Sequence, residues 1–287
     1  MSKKISDLIV TNSLESTDKF LVETEAGTKL APVAAVRTDV YNGVDLTVVF
    51  ADEIAEYGDP WSWIKARARA RNYAGLHVRD YIPWTLDGFT IESEIAGFEP
   101  DFECTDQALG GHIDFISRDC YPQYVQWNTS NVNQGNATNA APYMVSNLKA
   151  WYDSKVNSLP TELRNAIISK RSLMETRYTS GQTLQSSTSW AWNDLGKLWA
   201  PHESEVFDRS VWSGRYANGN GTKYPAFADG RARLKHFGKG GDRCNWWECD
   251  AMDASATYVC FVGNYGFAYY SYASLTYIAP VLGFRIG

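Results

Sequence analysis

Two glutamates in the segment Pro201-His-Glu-Ser-Glu205 are the residues whose type and spacing could support catalysis. Glycoside cleavage uses two carboxyl groups at a defined separation, and Glu203 and Glu205 could supply them. Side-chain hydrogen bonds go mostly to the backbone, however, and a glutamate in so tight a loop more often accepts them than it catalyses. The sequence also contains no phosphate-binding loop and no Gly-x-Ser-x-Gly motif. We therefore predict no catalytic residue.

Two groups of polar residues could be assembled into a metal site on paper. They are Asp101, Asp106, His112 and Asp114 in one group, and Asp250, Asp253 and Asn264 in the other. Calcium takes about six to eight oxygen ligands, and the spacing of neither group compels such a site. The five cysteines form no Cys-x-x-Cys motif, and the four histidines show no ligand spacing. We therefore predict no metal and no cofactor.

Charge and hydropathy argue against two classes of partner. The net charge of −6 disfavours a partner bound through nucleic-acid phosphates. No apolar run approaches the roughly 18 residues that cross a bilayer, and no apolar segment follows the positive N-terminus as it does in a secretory signal. We expect neither a nucleic-acid nor a membrane partner. An odd number of cysteines in such a chain indicates reduced thiols made in a cytoplasm, and a Cys244–Cys249 disulfide is the alternative.

Residues 250–277 have the composition of a binding surface. Tyr, Ser, Ala, Gly and Asn dominate there, and no Lys or Arg occurs between Arg243 and Arg285. Antibody-like paratopes use the same residues, because tyrosine gives a large contact area at low entropy cost. Half-buried β-sheets also favour Tyr and Phe, which leaves that alternative open. In a strand that alternates between two faces, Val259 and Phe261 would point inward.

The predicted ligand-binding set comprises other side chains of this stretch, with an exposed centre and a polar edge. The centre is Tyr258, Asn264, Tyr265, Phe267, Tyr269, Tyr270 and Tyr272, and the edge is Asp250, Asp253, Ser271 and Ser274. Random change at AAC or AAT codons can produce these residue types. The stretch contains no Lys, Glu, Gln or Trp, which agrees with such change but also with a half-buried strand.

A small module and a connector precede the large domain that carries this stretch. Residues 1–36 form the module, in which strands at 20–24 and 28–33 flank Glu25-Ala26-Gly27, and the glycine favours a hairpin turn. So short a hairpin is not stable alone. It must pack on the main domain, on copies of itself or on a larger assembly. Residues 37–50 connect it to the domain at 51–287.

The first helix of the large domain begins at Asp59, because Asp is a good N-cap and Pro60 suits the first helical position. We expect it to end near Gly75. Its basic run, Lys65-Ala-Arg67-Ala-Arg69-Ala-Arg71, fans around the helix instead of forming one face. The run is therefore predicted to be a solvated helix surface.

The rest of the domain alternates short helices, strands and irregular loops. A second helix has Ser146 as its N-cap, and a third follows Pro160 and runs through Ile168. We expect short antiparallel strands over 76–127, a loop over 128–141, a long polar excursion over 172–193, and strands with Gly-rich loops from 195 onward. This pattern predicts an α+β fold.

Short motifs from residue 75 to the end resemble those of a known family. In chain order they read GLHVRDYI at 75–82, IAGFEPD at 95–101, SNLKAW at 146–151 with LPTEL at 159–163, KLWAPHESEV at 197–206, YPAF at 224–227, NWW at 245–247 and PVLGFRI at 280–286. In order and spacing they resemble a domain of unknown function common in prophages and gut-bacterial genomes. Such domains look like members of the C-type-lectin-like superfamily, which includes phage tropism determinants diversified by retroelements. The resemblance covers residues 51–287.

This resemblance implies a C-type-lectin-like α+β domain that presents a ligand surface on irregular loops over a small sheet. It implies a phage virion protein, a tail or head fibre or its tip, that attaches to a host-surface glycan or protein through a variable C-terminal face. Such a protein is made in the bacterial cytoplasm, ends in the virion and is not an enzyme. The alternatives are a structural decoration or baseplate component, and an enzyme that degrades surface glycans.

The N-terminal module carries a second resemblance. Residues 1–36 resemble the short hairpin modules that open many phage tail and fibre proteins, which implies attachment to other virion proteins and a homotrimer typical of fibres. The large domain also departs from its family at one motif. Family members often carry Trp-Trp-x-Arg-Ser, where this chain has Trp246-Trp247-Glu248-Cys249-Asp250, so no contact of the Arg-Ser pair is carried over.

Large aromatic residues are predicted to anchor the core. Trp199, Trp246 and Trp247 should be buried, since large aromatics bury the most area per residue. The closing segment Leu282-Gly-Phe-Arg-Ile286 should form a strand inside the sheet of the domain, with Phe284 and Ile286 buried.

Overall fold

The computed structural model describes residues 42–133, 140–176, 190–213, 223–253 and 255–287 with their side chains. It also gives the backbone of four short strands, Lys19–Thr24, Gly27–Pro32, Tyr178–Ser180 and Thr183–Gln185. Helices and antiparallel strands are both present, so the protein has a mixed α+β architecture, as predicted.

The helices are short. The α-helices of the described residues are α1 (Leu46–Val49), α2 (Ala51–Tyr57), α3 (Pro60–Arg69), α4 (Asn147–Lys155), α5 (Thr161–Ala166) and α6 (Glu203–Phe207). The 3₁₀-helices cover Tyr143–Val145, Val156–Ser158, Pro225–Ala228 and Gly230–Arg233. Within the part of the chain that the structure describes, no helix has the length and apolar character needed to cross a membrane.

The strands form one five-stranded sheet, one three-stranded sheet and several two-stranded ribbons. They are β1 (Lys19–Thr24), β2 (Gly27–Pro32), β3 (Tyr81–Leu86), β4 (Phe89–Phe98), β5 (Ile113–Ser117), β6 (Ile167–Ile168), β7 (Arg171–Glu175), β8 (Tyr178–Ser180), β9 (Thr183–Gln185), β10 (Trp190–Asp194), β11 (Lys235–His236), β12 (Arg243–Cys244), β13 (Trp246–Ala251), β14 (Tyr258–Val262), β15 (Ala268–Tyr272) and β16 (Gly283–Ile286). The short antiparallel strands predicted for 76–127 correspond to β3, β4 and β5.

The C-terminal strand lies inside the five-stranded sheet. The strand order is β3-β4-β5-β16-β6, and every pair in it is antiparallel. Because β16 lies between β5 and β6, both of its edges are hydrogen-bonded. Phe284 and Ile286 are fully buried. The predicted placement of the chain's end is therefore confirmed.

An aromatic core joins helix α3 to this sheet. Phe284 stacks on Phe115 of the neighbouring strand, with ring centroids 5.4 Å apart and an interplanar angle of 10°. Trp61 of α3 meets Phe284 edge-on at 5.8 Å, and Trp84 of β3 does so at 6.1 Å. Such edge-to-face pairs contribute about 0.5–1.5 kcal/mol beyond the area that they bury.

Helix α3 begins as predicted but does not have a solvated basic surface throughout. Asp59 caps it by accepting hydrogen bonds from the backbone N–H groups of the first turn, at 2.8 and 2.9 Å. The helix ends at Arg69, six residues before Gly75. The prediction of a solvated surface is wrong for Arg67, which is buried. Its guanidinium donates to Glu53 at 3.0 Å and lies over the Trp63 ring, so the apolar stem and the charge are both used inside the fold.

Two other sequence expectations need correction. The third helix stops at Ala166, because Ile167–Ile168 forms strand β6 beside β16. The predicted polar excursion over 172–193 contains β7 and β10, which pair with each other. The hydrophobic pattern does not predict these strands, because buried positions of β7 carry polar residues, Ser172 and Glu175, beside the buried Met174.

The predicted N-terminal hairpin is confirmed at the level of its strands. β1 and β2 are antiparallel, with Thr24 opposite Gly27 and Lys19 opposite Pro32. Glu25 and Ala26, predicted to form the turn, lie outside the described residues, as do 1–18 and 33–41. Helix α1 falls within the predicted connector 37–50. In the predicted loop 128–141, residues 128–133 form neither helix nor strand, and 134–139 lie outside the described residues.

The aromatic core generates a stability prediction. Phe284→Ala should lower the free energy of unfolding by about 3–5 kcal/mol, because it removes a fully buried ring and leaves a cavity between Phe115 and Trp61. Urea unfolding followed by circular dichroism measures the change. Phe89→Ala, at a ring that is partly exposed, is the matched control and should cost much less. Equal costs for the two variants would contradict the assignment.

Candidate functional site

The three-stranded sheet β13-β14-β15 passes from a buried strand to an exposed one. All six residues of β13 are buried, and four of the five in β14 are buried. β15 pairs with β14 and, among the described residues, has no strand on its other side. Its residues are exposed or half-buried. The outer strand β15 is therefore exposed to solvent, and the buried strands β13 and β14 form the base of the sheet.

Two of the predicted anchors, Trp246 and Trp247, lie in the inner strand β13 of this sheet, and the third, Trp199, is hydrogen-bonded through its backbone to Gly283 of β16. Trp199, Trp246 and Trp247 are all fully buried, which confirms their predicted placement. The indole N–H of Trp247 donates to the carbonyl of Val125 at 2.6 Å, and that of Trp246 donates to Arg233 at 3.0 Å. Burial fixes the position of such an indole, and its hydrogen bond to an acceptor also fixes its orientation.

The predicted alternation of buried and exposed residues is wrong for β14, because Cys260 and Val262 are buried as well as the two residues predicted to point inward. Val259 and Phe261 are both buried, as expected. Phe261 packs edge-on against Trp247 at 6.0 Å and stacks with Tyr269 of the outer strand at 5.8 Å. Tyr269 therefore lies on the same face of the sheet as the inward residues, although about half of its surface is exposed.

Most of the aromatic residues in the predicted ligand-binding set are exposed. Tyr265 and Phe267, in the turn between β14 and β15, retain 67% and 64% of their accessible surface. The exposed members of the set are Tyr265, Phe267, Tyr269, Tyr270 and Tyr272. Tyr258 and Asn264 are half-buried, as are Asp253, Ser271 and Ser274 of the predicted edge. β14 is thus buried apart from Tyr258, whereas β15 combines exposed with half-buried residues.

Four aromatic side chains form a continuous patch on one face, which we call the aromatic cluster: Trp212, Tyr258, Tyr270 and Tyr272. Tyr258 lies 4.9 Å from Tyr272 and 5.3 Å from Tyr270, measured between ring centroids. Trp212 meets Tyr270 edge-on at 4.6 Å, and its indole N–H donates to the carbonyl of Ala268 at 3.0 Å. Trp212 could not be predicted from the sequence as a member of this cluster, because it reaches the sheet from a loop with no periodic pattern.

Asp250 does not belong to the exposed edge, and that prediction is wrong. The side chain is buried and accepts hydrogen bonds from the His202 ring at 3.0 Å and from the backbone N–H of Glu203 at 2.6 Å. The second bond satisfies a free N–H at the start of α6, where a carboxylate is also favoured by the helix dipole. Asp250 therefore attaches α6 to β13.

Ser172, His202 and Asp250 have the spacing of a hydrolase triad. The Ser172 hydroxyl lies 2.8 Å from Nε2 of His202, and Nδ1 of His202 lies 3.0 Å from Asp250. Burial lowers the pKa of His202, but the neighbouring Asp250 charge raises it more, so the net shift is upward. All three side chains are buried, however. A substrate therefore has no path to the hydroxyl, and the group connects β7, α6 and β13.

The glutamates considered for glycoside cleavage are held by the fold. Glu205 accepts a hydrogen bond from the backbone N–H of His202 at 2.9 Å, and its other oxygen pairs with Lys170. Glu203 accepts from three successive backbone N–H groups at 211–213, at 2.8 to 3.0 Å. The interpretation that these glutamates serve loop structure is confirmed by these contacts.

The first group considered for a metal has its side chains committed to other contacts. Arg285 of β16 donates to both oxygens of Asp114 at 2.6 and 2.9 Å and to Asp101 at 3.0 Å. Asp106 forms an ion pair with Arg171 at 2.6 Å. The ring nitrogens of His112 each lie within 2.8 Å of a backbone carbonyl oxygen.

Two groups that the sequence analysis did not find bring possible metal ligands together. One is His202, Cys249 and Asp250, and the other is Glu203, Glu248 and Cys260; within each group the ligand atoms lie within 4.8 Å of one another, and all six side chains are buried. Their members come from two or three distant segments, so no spacing in the sequence signals them. None of the five cysteines forms a disulfide.

Glu248 is the unusual member of the second group. Its side chain is fully buried, and neither carboxylate oxygen has a hydrogen-bond partner among the residues that the structure describes. Burial, together with the nearby Glu203 and Asp250 charges, holds the pKa of Glu248 well above its ordinary value. Burial also raises the pKa of Glu203, against the backbone donors that lower it.

A charged cleft of about 520 Å³ adjoins the turn between β14 and β15. It is lined by Asn42, Arg79, Glu92, Glu94, Arg118, Asp119, Arg231, Ala232, Leu234, His236 and Arg243. Arg79 and Arg118 both approach Glu94, at 3.4 and 3.6 Å, so much of the charge is balanced inside the cleft. Arg233 attaches the turn to this region by donating to the Gly266 carbonyl at 2.9 Å.

Comparison of the chain with protein families, with curated proteins and with solved structures gave no match.

The Arg285–Asp114 pair generates a pH prediction. Burial raises the pKa of Asp114, but attraction to Arg285 and its hydrogen bonds lower it more, so the pKa lies below its ordinary value of 3.8. A carboxyl whose pKa is lowered by folding stabilises the fold above its unfolded pKa and loses that contribution as the pH falls through the folded pKa. Asp114→Asn should therefore cost about 3–5 kcal/mol at pH 7, because it removes the carboxylate charge that accepts two of the hydrogen bonds of the buried Arg285.

Urea unfolding of wild type and variant across a pH series measures this cost. The difference should be constant above about pH 5 and should shrink below about pH 4. Asp106→Asn, at the partly exposed ion pair with Arg171, is the control and should change stability far less. A cost for Asp114→Asn that is the same at every pH would show that the charge of Asp114 is not what stabilises the strand.

Proposed function

We propose that the protein is a phage virion receptor-binding protein that attaches to a host-surface glycan or protein through β15, the preceding turn and the aromatic cluster. The observation that carries the proposal is the cluster itself. Two segments far apart in sequence bring Trp212 to Tyr258, Tyr270 and Tyr272 on a solvent-exposed strand. Exposed aromatic patches with polar surroundings are characteristic of interaction sites.

The chemistry of this surface suits recognition. Tyrosine combines a rigid apolar ring with a hydroxyl, so it gives contact area and a hydrogen bond at low entropy cost. Aromatic anchors carry a large share of binding energy in measured interfaces. The rings rest on a sheet whose inner strand is completely buried, so the surface loses little freedom when it binds a ligand.

The family expectation supports the same function. A C-type-lectin-like domain places its ligand surface on loops and an outer strand over a small sheet. The α+β architecture, the C-terminal strand inside the main sheet and the long irregular connections agree with that expectation. Exposed positions such as Tyr265 and Tyr272 also have residue types that diversification at AAC or AAT codons produces. A near-identical template repeat beside the gene, differing at adenines, would establish diversification.

A structural role in the virion is the second candidate. On the side of β15 away from β14, no strand pairs with it among the described residues, and such an edge is a template for pairing with a neighbouring chain. A decoration or baseplate component would use this edge and the aromatic cluster to contact other virion proteins. Purified protein would then bind virion components and leave host cells unlabelled.

The first prediction of the proposal concerns host binding. Tyr265→Ala combined with Tyr272→Ala should weaken binding to a glycan array or to a panel of gut bacteria by at least about tenfold, because aromatic anchors dominate interface energy. Thermal unfolding should change little, since exposed substitutions usually shift stability by less than about 0.5 kcal/mol each. The matched control is Tyr57→Ala with Tyr124→Ala, two tyrosines that are also exposed and lie elsewhere on the domain.

The outcomes separate the alternatives. Equal binding by both double variants would place the ligand surface elsewhere, and unfolding of the first would show that its tyrosines belong to the core. Wild-type protein that binds virion proteins but no cell or glycan would favour the structural role. Release of sugar from cell walls would revive the enzyme alternative.

The second prediction concerns assembly. We propose that residues 1–36 join the protein to other virion proteins and hold it as a homotrimer, since a two-stranded hairpin is marginal alone. Deletion of 1–36 should leave a folded domain, judged by circular dichroism, and should abolish incorporation into particles. Sedimentation should show a smaller assembly than for the full chain. Full incorporation of the shortened protein would contradict this role.

A further inference from the structure

The carboxylate of Glu248 lies in the interior without a partner. The side chain is fully buried, and neither oxygen finds a hydrogen-bond donor among the described residues. An ionised carboxylate left unpaired in the interior costs several kcal/mol, so buried charges are normally paired or coordinate a metal. The placement of Glu248 therefore calls for a positive partner or a proton.

Two further ligand atoms lie beside this carboxylate. A carboxylate oxygen of Glu203 and the sulfur of Cys260 are within 4.8 Å of Glu248 and of each other, and both side chains are buried. We propose that Glu203, Glu248 and Cys260 bind a zinc ion. Sulfur and carboxylate ligands together suit zinc, whereas calcium and magnesium select oxygen ligands alone.

The surroundings of Glu203 orient it for this role. One of its oxygens, Oε2, accepts hydrogen bonds from the Ser213 hydroxyl at 2.7 Å and from the backbone N–H groups of 211–213. The other oxygen, Oε1, accepts from Trp212 N–H and has a second lone pair for a metal. Hydrogen bonds of this kind fix the direction of a carboxylate ligand and raise metal affinity.

The same hydrogen bonds connect the proposed site to the aromatic cluster. The backbone N–H that Glu203 binds belongs to Trp212, whose ring packs on Tyr270. Cys260 lies directly opposite Tyr270 in the register of β14 and β15. A zinc ion bound here would therefore stabilise the part of the sheet on which the aromatic cluster packs. The inference does not depend on what that cluster binds.

Zinc binding would change the protonation of its ligands. The thiolate, not the thiol, binds metal, so the Cys260 proton leaves to solvent as the ion enters, together with any proton on Glu248. Three negative ligands and one Zn²⁺ leave the group with a single net negative charge. Affinity should consequently rise with pH as these protons are lost more easily.

Direct metal measurements on the full-length protein test the proposal. Purified protein is incubated with zinc, dialysed against a weak chelator and analysed by elemental mass spectrometry, and about one zinc per chain is expected. Cobalt is then substituted for zinc, because a sulfur ligand gives a thiolate-to-cobalt charge-transfer band. Protein that retains no metal and shows no such band would overturn the proposal, and Glu248 would then be held as a neutral acid.

Variants of the proposed ligands test which side chains bind the metal. Glu248→Gln and Cys260→Ser should each lower zinc affinity at least as much as the roughly 10–100-fold loss that follows removal of an outer-shell partner. Cys260→Ser should also abolish the charge-transfer band. Cys249→Ser is the matched control, since this buried cysteine lies 3.0 Å from His202 in the neighbouring group. A band that survives Cys260→Ser and disappears in Cys249→Ser would place the metal in that group instead and overturn the proposal.

Discussion

The buried ion pair between Arg285 and Asp114 is the interaction on which the arrangement of the domain depends. It joins β16 to β5 from inside the protein, where an uncompensated charge would be costly. Lys170 extends the network, pairing with Glu205 of α6 and approaching Asp101 at 3.7 Å. Buried pairs of this kind add little net stability compared with apolar packing. Their effect here is to allow one register, in which the last strand of the chain lies inside the sheet, between β5 and β6.

That register has consequences for the second sheet. Glu205 is anchored by Lys170, and it caps α6 through the backbone of His202. The start of α6 is therefore fixed, and Glu203 is aimed at the 211–213 turn while His202 is aimed at Asp250. Polar groups that look catalytic in the sequence are thus used to position the small sheet. The side chains of the outer strand β15 that remain exposed are aromatic.

The sequence predicts those parts of the fold that local patterns encode. Asp59 and Ser146 are N-caps with recognisable sequence contexts, and both begin helices as expected. The apolar closing segment predicts the buried strand around Phe284. Such features depend on neighbours within a few residues, which is why they can be read without the structure.

The features that the sequence does not predict depend on contacts between distant segments. Arg67 looks like part of a solvated basic run, yet it is buried, because its guanidinium pairs with Glu53 and lies over two aromatic rings. Asp250 looks like an exposed edge residue, yet it caps a helix that lies 47 residues earlier in the chain. Trp212 carries no periodic signal at all. A single sequence contains no information about such pairings beyond the chemistry of each residue.

The small sheet combines a buried inner strand with an exposed outer strand, and this combination suits it to recognition. Its inner strand is buried along its whole length, and its tryptophans are held by hydrogen bonds as well as by packing. Tyr265 and Phe267 project from a turn that Arg233 and the Gly263 carbonyl hold through backbone bonds to Gly266. Those contacts involve no atom of the two exposed rings. A change at either ring would therefore alter what the surface can bind and leave the hydrogen bonds that position the turn in place.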